Sequence, residues 1–257
     1  MSVVLLIPIG AVIGILLGSI GGGGSLIAVP ALVYVGDQSL RGAQAGSLIV
    51  VTVAAAIGLV AYLQRGGVRW RAGLAFAAAA SVSSLLGSLL SRQLDPDALL
   101  LAFSPVMMVG AAAMVTERAA AESTFTPWRL EVGAETVVRV AGFGFAVGWL
   151  TGLFGVGGGF VIVPVLVIGL GFAVTEAVGT SLLVIVVSSV VALAERLHGG
   201  GIDWAVVLPF AAAAAAGVLA GARLGSRVSR RLLTRWFAAF VVLTAIYTGA
   251  EALASLL

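Results

Sequence analysis

The chain has 257 residues, 61% of them hydrophobic and 10% charged, with a mean hydropathy of +1.18. Soluble domains carry about 25% charged residues, so this composition excludes a water-soluble domain and points to a polytopic membrane protein. There is no cysteine, which excludes disulfides and thiolate metal sites, and the basic residues, 14 in number and all arginine, fall in loops, so the formal charge of +3 fits an anionic leaflet and not a nucleic-acid surface.

A helical span needs about 20 apolar residues. In chain order the apolar segments are 2–20, 25–36, 42–63, 72–91 and 98–115, then 137–153, 159–171, 176–195, 204–222 and 232–256. The first begins Met1-Ser2-Val3-Val4-Leu5, without a basic leader or a small-residue cleavage site, and is expected to be a retained span. Segments 25–36 and 159–171 are too short for a straight crossing, and each reads as a half-helix or one arm of a re-entrant hairpin. Between the two sets lies the one long polar stretch, 116–136, with Glu117, Arg118, Glu122, Ser123, Thr124, Pro127 and Trp128.

The two sets are copies. A shift of 134 residues lays Gly14 on Gly148, Gly18 on Gly152, Gly23-Gly24 on Gly157-Gly158, Pro30 on Pro164, Ser47-Leu48 on Ser181-Leu182, Trp70 on Trp204, Phe76 on Phe210 and Phe103 on Phe237, without a gap. This period far exceeds the roughly 20–50 residues of solenoids, so it marks a duplicated helical bundle. The expected organisation is a first transmembrane repeat over 1–116, a polar connector over 117–136 and a second repeat over 137–257. Loop arginines give the orientation. Loop 64–71 holds Arg65, Arg69 and Arg71 with no acid, whereas its counterpart 195–203 is mixed, with Glu195, Arg196 and Asp203. In the second half the excess moves one loop on, to Arg223, Arg227, Arg230, Arg231 and Arg235. Equivalent loops then lie on opposite sides, which predicts an all-α fold of two inverted-topology repeats of five segments each, with the arginine-rich loops and the connector cytoplasmic and both termini outside.

Each repeat carries a glycine cluster inside apolar sequence, Gly21-Gly22-Gly23-Gly24 and Gly155-Val156-Gly157-Gly158-Gly159. Broken backbone at membrane depth is tolerated only where it is buried in protein or lines a cavity, and a matched pair of breaks points to a transporter's binding site. A helix that starts at such a break presents free N–H groups and a positive dipole end, which attract an anion. The expected site is therefore Gly22, Gly23, Gly24 and Ser25 from the first cluster and Gly157, Gly158 and Gly159 from the second. Gln44 and Ser47, matched downstream of the second cluster by Thr180 and Ser181, add uncharged polar groups. Against this stands a bland alternative, in which the glycines only allow close helix packing and the polar groups only bond between helices.

Arg41 and Glu176 stand at the entrances of the third segments, where Arg41 would gather anions and Glu176 would carry a coupling proton, or both would simply sit at the interface. Trp149, just before the second cluster, would wall the site; the other tryptophans fall at membrane ends and read as anchors, and His198 reads as a solvated loop residue. Enzyme readings fail on the residues. Phe160 fills the last glycine position of a dinucleotide loop, no strand precedes it, and His198 is not placed to serve an intramembrane serine. Asp37, Asp95, Asp97 and Asp203 fall in short loops, and no spacing suits a metal. No catalytic residue, metal or cofactor is expected.

The stretches Gly21-Gly22-Gly23-Gly24-Ser25-Leu26-Ile27-Ala28-Val29-Pro30 and Gly152-Leu153-Phe154-Gly155-Val156-Gly157-Gly158-Gly159-Phe160-Val161-Ile162-Val163-Pro164 resemble the TauE/SafE family. Ala177-Val178-Gly179-Thr180-Ser181-Leu182 and Ala43-Gln44-Ala45-Gly46-Ser47-Leu48 do so too, and the similarity covers essentially the whole chain. It departs in the first half, where Gly22 stands against Val156 and Ser25 against Gly159, so the two half-sites are expected to be unequal. The resemblance implies a prokaryotic inner-membrane exporter of sulfite or an organosulfonate with about eight spans, which makes the short second segments partial crossings. The expected partners are a small anionic substrate, membrane lipid and coupled protons, with a homodimer open and nucleic acid excluded. The alternatives are a passive anion channel of the same fold, an intramembrane enzyme, and a metal-cation carrier, for which Glu176 is the one candidate carboxylate.

Overall fold

The computed structural model describes residues 2–22, 25–64, 67–121, 134–155, 159–197, 201–224 and 230–256. Gly23, Gly24, Arg65, Gly157, Gly158, His198 and most of the polar connector, Trp128 included, lie outside the described residues. The described residues form helices α1 (Ser2–Ile20), α2 (Ser25–Pro30), α3 (Leu40–Leu63), α4 (Trp70–Ser91), α5 (Pro96–Ala121), α6 (Ala134–Phe154), α7 (Gly159–Pro164), α8 (Val174–Leu197), α9 (Trp204–Leu224) and α10 (Arg230–Leu256), with no strand among them. The starts of α2, α3, α4 and α5 recur in α7, α8, α9 and α10 at the sequence period of 134.

The short helices have a physical reason. Pro30 and Pro164 close the two short helices; each lacks an N–H and its ring crowds the carbonyl four residues back, which loosens the turn that leads up to it. Beyond each the chain widens into one π-helical stretch, Ala31–Val35 after α2 and Val165–Gly169 after α7. The wide turns close through Gly36 N–H to the Ala31 carbonyl (3.0 Å) and Leu170 N–H to the Val165 carbonyl (3.1 Å). Each unit, 25–35 or 159–169, thus has 11 residues. That is about 16 Å of helix, half of the roughly 30 Å hydrocarbon layer.

Small residues fix how the long helices pack. α1 lies against α9 and α6 against α4. Along the first seam Gly10 faces Phe210, Gly14 faces Ala214 and Gly18 faces Val218; along the second Gly144 faces Phe76, Gly148 faces Ala80 and Gly152 faces Ser84. In every case a Cβ on the glycine would collide with the facing backbone carbonyl, so the two backbones are in direct contact. Lipid supplies no hydrophobic drive between helices, and such close approach is what gives them van der Waals attraction. The numbers on both sides of each seam rise together, so both pairs are parallel. Each half places its first helix on the fourth helix of the other.

α3 and α8 meet in the opposite sense. Gly42 faces Gly201 just beyond α8, whereas Gly58 faces Leu182 nearer its start, so these equivalent helices run antiparallel. Polarity is turned inside out relative to a soluble bundle. Ser47, Ser83, Ser84, Ser88, Thr151, Ser188 and Ser189 are buried, while Val4, Val60, Leu74, Val82, Val109, Leu208 and Leu243 are exposed. Among the described residues four helical stretches are long and apolar enough to cross a membrane: Leu40–Leu63, Trp70–Ser91, Thr175–Ala194 and Trp204–Ala222. Trp70 and Trp204 open α4 and α9 at half exposure, as membrane-end anchors do.

Candidate functional site

Two chain breaks end α1 and α6 in the same way. Gly21 (φ +79°) and Gly155 (φ +66°) take the left-handed conformation that residues with a Cβ avoid. Gly21 N–H then bonds the Leu17 carbonyl and Gly155 N–H the Thr151 carbonyl, both at 2.9 Å. This is the glycine C-cap, and it turns the chain out of the helix. Beyond the caps the breaks meet. A Cβ on Gly159 would stand 3.0 Å from the Gly22 Cα and 2.7 Å from Ile185 Cδ1. Ile185 is midway along α8, so the meeting point is well inside the bundle.

The flanking polar groups divide into engaged and unengaged sets. Thr180 is engaged, its Oγ1 accepting from the Arg69 N–H at 3.0 Å. Ser181 Oγ donates toward the Gly21 carbonyl (2.6 Å) and lies 2.8 Å from its own helix's Val178 carbonyl. Gln44 is buried; its Nε2 donates to the Leu153 carbonyl at 3.5 Å, and its Oε1 accepts from the Arg196 guanidinium. Ser25 and Ser47 are buried, and neither hydroxyl has a hydrogen-bond partner among the described residues.

Arg41 is exposed in the first turn of α3. Glu176, in the first turn of α8, forms a two-pronged ion pair with Arg69, Nε to Oε2 at 2.9 Å and Nη2 to Oε1 at 3.2 Å. The same guanidinium lies 4.7 Å above the Phe172 ring. Trp149 stacks on Phe145 of its own helix, with ring centroids 6.5 Å apart, and turns its carbonyl toward Gly87 of α4. Neither contact is with a break.

Sequence reasoning overlooked two residues. Arg196, assigned by its neighbours to a mixed loop, is in the last turn of α8 and reaches back to donate to Gln44 Oε1 and to the Gly152 carbonyl. Tyr62 donates its hydroxyl to the Gly18 carbonyl at 3.4 Å. Tyr62 and Gly18 are Arg196 and Gly152 shifted by one repeat, so the period itself carried the signal.

The chain matches the family described as "Sulfite exporter TauE/SafE" over residues 6–248. It belongs to the TauE/SafE family. A "Probable membrane transporter protein" of Xylella fastidiosa (strain 9a5c) is 32% identical to it over 99% of this chain and 98% of its own length. The "Probable membrane transporter protein YunE" of Bacillus subtilis (strain 168) is 25% identical over 79% of this chain and 81% of its own. No solved structure matches the chain. This TauE/SafE protein is thus a multi-pass membrane transporter of a small molecule and not an enzyme, and its fold suits the inner membrane of a prokaryote.

Proposed function

We propose that this TauE/SafE protein exports a small anion, sulfite or an organosulfonate, by alternating access, with the anion held where α2 and α7 begin. The observation that carries the reading is the meeting of Gly22 and Gly159 in the bundle interior, together with two buried hydroxyls, Ser25 at the start of α2 and Ser47 on α3, that have no partner among the described residues. A buried polar group without a partner costs about 1–3 kcal/mol, a cost that a bound ligand removes. The helix starts at the two breaks favour a negative ligand. Inverted topology fits the packing: α3 and its counterpart α8 run antiparallel, as a two-fold axis in the membrane plane requires, and the α1–α9 and α6–α4 pairs have the same sense as each other. On this reading 1–116 and 137–257 are the repeats, α2 and α7 are re-entrant arms, and Glu176 is the candidate for proton coupling, a homodimer being compatible.

The test is efflux of labelled sulfite from proteoliposomes. Efflux should saturate with sulfite and respond to a proton gradient, and replacing both Ser25 and Ser47 by Ala should lower it about tenfold or more while the protein stays monodisperse. Current that rises without saturation would identify a channel. Efflux unchanged in the double variant would remove the breaks from the transport path.

A further inference from the structure

Three pairs of positions around the breaks correspond under the repeat: Gly21 and Gly155, Ser181 and Ser47, Tyr62 and Arg196. At the first break both side chains bond α1 or its cap. Ser181 holds the Gly21 carbonyl and Tyr62 the Gly18 carbonyl, each through a neutral hydroxyl. The second break is built from the same places with different chemistry. Arg196 stands where the first has Tyr62 and holds the Gly152 carbonyl, so a full positive charge is brought to this break. Ser47, the counterpart of Ser181, is 0% exposed and makes no hydrogen bond among the described residues. Gln44 lies three residues before Ser47 on the same face of α3, touches Gly155, and holds the guanidinium by its Oε1.

We infer that the anion is gripped chiefly from the second break, by the Arg196 guanidinium together with the Ser47 hydroxyl, while the first break adds the Ser25 hydroxyl. The inference rests on the anion-export reading above. Arginine presents a planar fork of donors that suits two oxygens of one anion, and a charged acceptor binds it more strongly than a neutral one. Gln44 positions the fork. Ser47, about one helical turn deeper, takes a third oxygen. The site is therefore matched to anions with three oxygens on one centre, sulfite and sulfonates. A carboxylate fills the fork and leaves Ser47 buried and unpaired, which selects against it.

Thermal-shift titration of the purified full chain with sodium sulfite, methanesulfonate and acetate tests this. Sulfite and methanesulfonate should stabilise the protein at concentrations about tenfold lower than acetate. Ser47→Ala should close that gap. Arg196→Tyr installs the residue that the first half uses, so the Gly152 carbonyl keeps a donor and the protein keeps its fold; its response to sulfite should fall about tenfold or more, with Arg196→Lys between it and the parent. Tyr62→Phe should titrate like the parent. Parental titration by Arg196→Tyr, or an equal loss in Tyr62→Phe, overturns the assignment and leaves anion export standing. A parent protein that none of the three anions stabilises overturns export itself, and this assignment with it.

Discussion

Gly14 lies on Ala214 across one seam and Gly148 lies on Ala80 across the other, an identical contact moved by one repeat at both partners. A short distance away the correspondence of position persists and the chemistry changes: Tyr62 becomes Arg196, Glu176 faces Arg69 where the other half has Gly42 and Asp203, and Ser181, bonded to the Gly21 carbonyl, becomes Ser47, which has no partner among the described residues. Backbone packing tolerates almost no divergence between the halves, because the contact atoms belong to main chain. Polar side chains at the breaks and helix ends carry no such constraint, and there the halves have specialised.

The strongest test of that division is at the seams. Gly14→Leu and Gly148→Leu each drive a side chain into a facing helix backbone that cannot move aside. Overpacking of this kind costs about 1–3 kcal/mol even where neighbours can adjust, and here the neighbour is main chain, so the loss should be at the top of that range or beyond. Both variants should give little folded protein by size-exclusion chromatography, and to the same degree. A tolerated Gly148→Leu beside a lethal Gly14→Leu would break the equivalence of the seams.

Next in size are the caps. Alanine at Gly21 or Gly155 pays about 1–2 kcal/mol for the left-handed backbone. The surroundings add to this at both sites: the new Cβ would meet Val178 Cα at 2.8 Å at Gly21, and Gln44 Cβ at 2.5 Å with Gln44 Cα at 3.0 Å at Gly155. Gly21→Ala and Gly155→Ala should therefore both lower the unfolding temperature, and to a similar degree. If the second break is the one that binds, only Gly155→Ala should also weaken sulfite stabilisation, since it displaces the side chain that holds Arg196.

Much of this was legible in the residues, for reasons that also mark where legibility ended. Helix positions followed from apolar length and from glycine and proline punctuation, so 25–36 and 159–171 were expected as short segments and are found as 25–35 and 159–169. The π-turns beyond Pro30 and Pro164 were not foreseen, because proline tells a reader that the α-helix must change and not what replaces it. The seams were visible only as recurring glycines: sequence gives the small residues, and pairing across the halves needs three dimensions. Arg196 misled because Glu195 and Arg196 precede His198-Gly199-Gly200 and share its loop-like composition, yet a long arginine stem at a helix end can turn back into the bundle as readily as outward.

The smallest expected effect comes from the helix-end latches. Arg69 and Glu176 are bound at 2.9 Å, and their side chains are 37% and 31% exposed. At the equivalent place in the other half Gln38 Nε2 reaches Asp203 Oδ2 at 3.5 Å, a single long bond with one charged partner. A partly exposed pair of the first kind contributes about 0.2–1 kcal/mol, and the second less. Glu176→Gln should then lower the unfolding temperature by a small but measurable amount, and Asp203→Asn by nothing resolvable. The kinetic consequence is sharper than the thermodynamic one. If alternating access opens the two ends in turn, the end closed by an ion pair is the harder to open, and Glu176→Gln should raise the rate of sulfite exchange from that side alone. Sided proteoliposomes measure this, and equal acceleration from both sides, or none, would mean that the latch plays no part in gating.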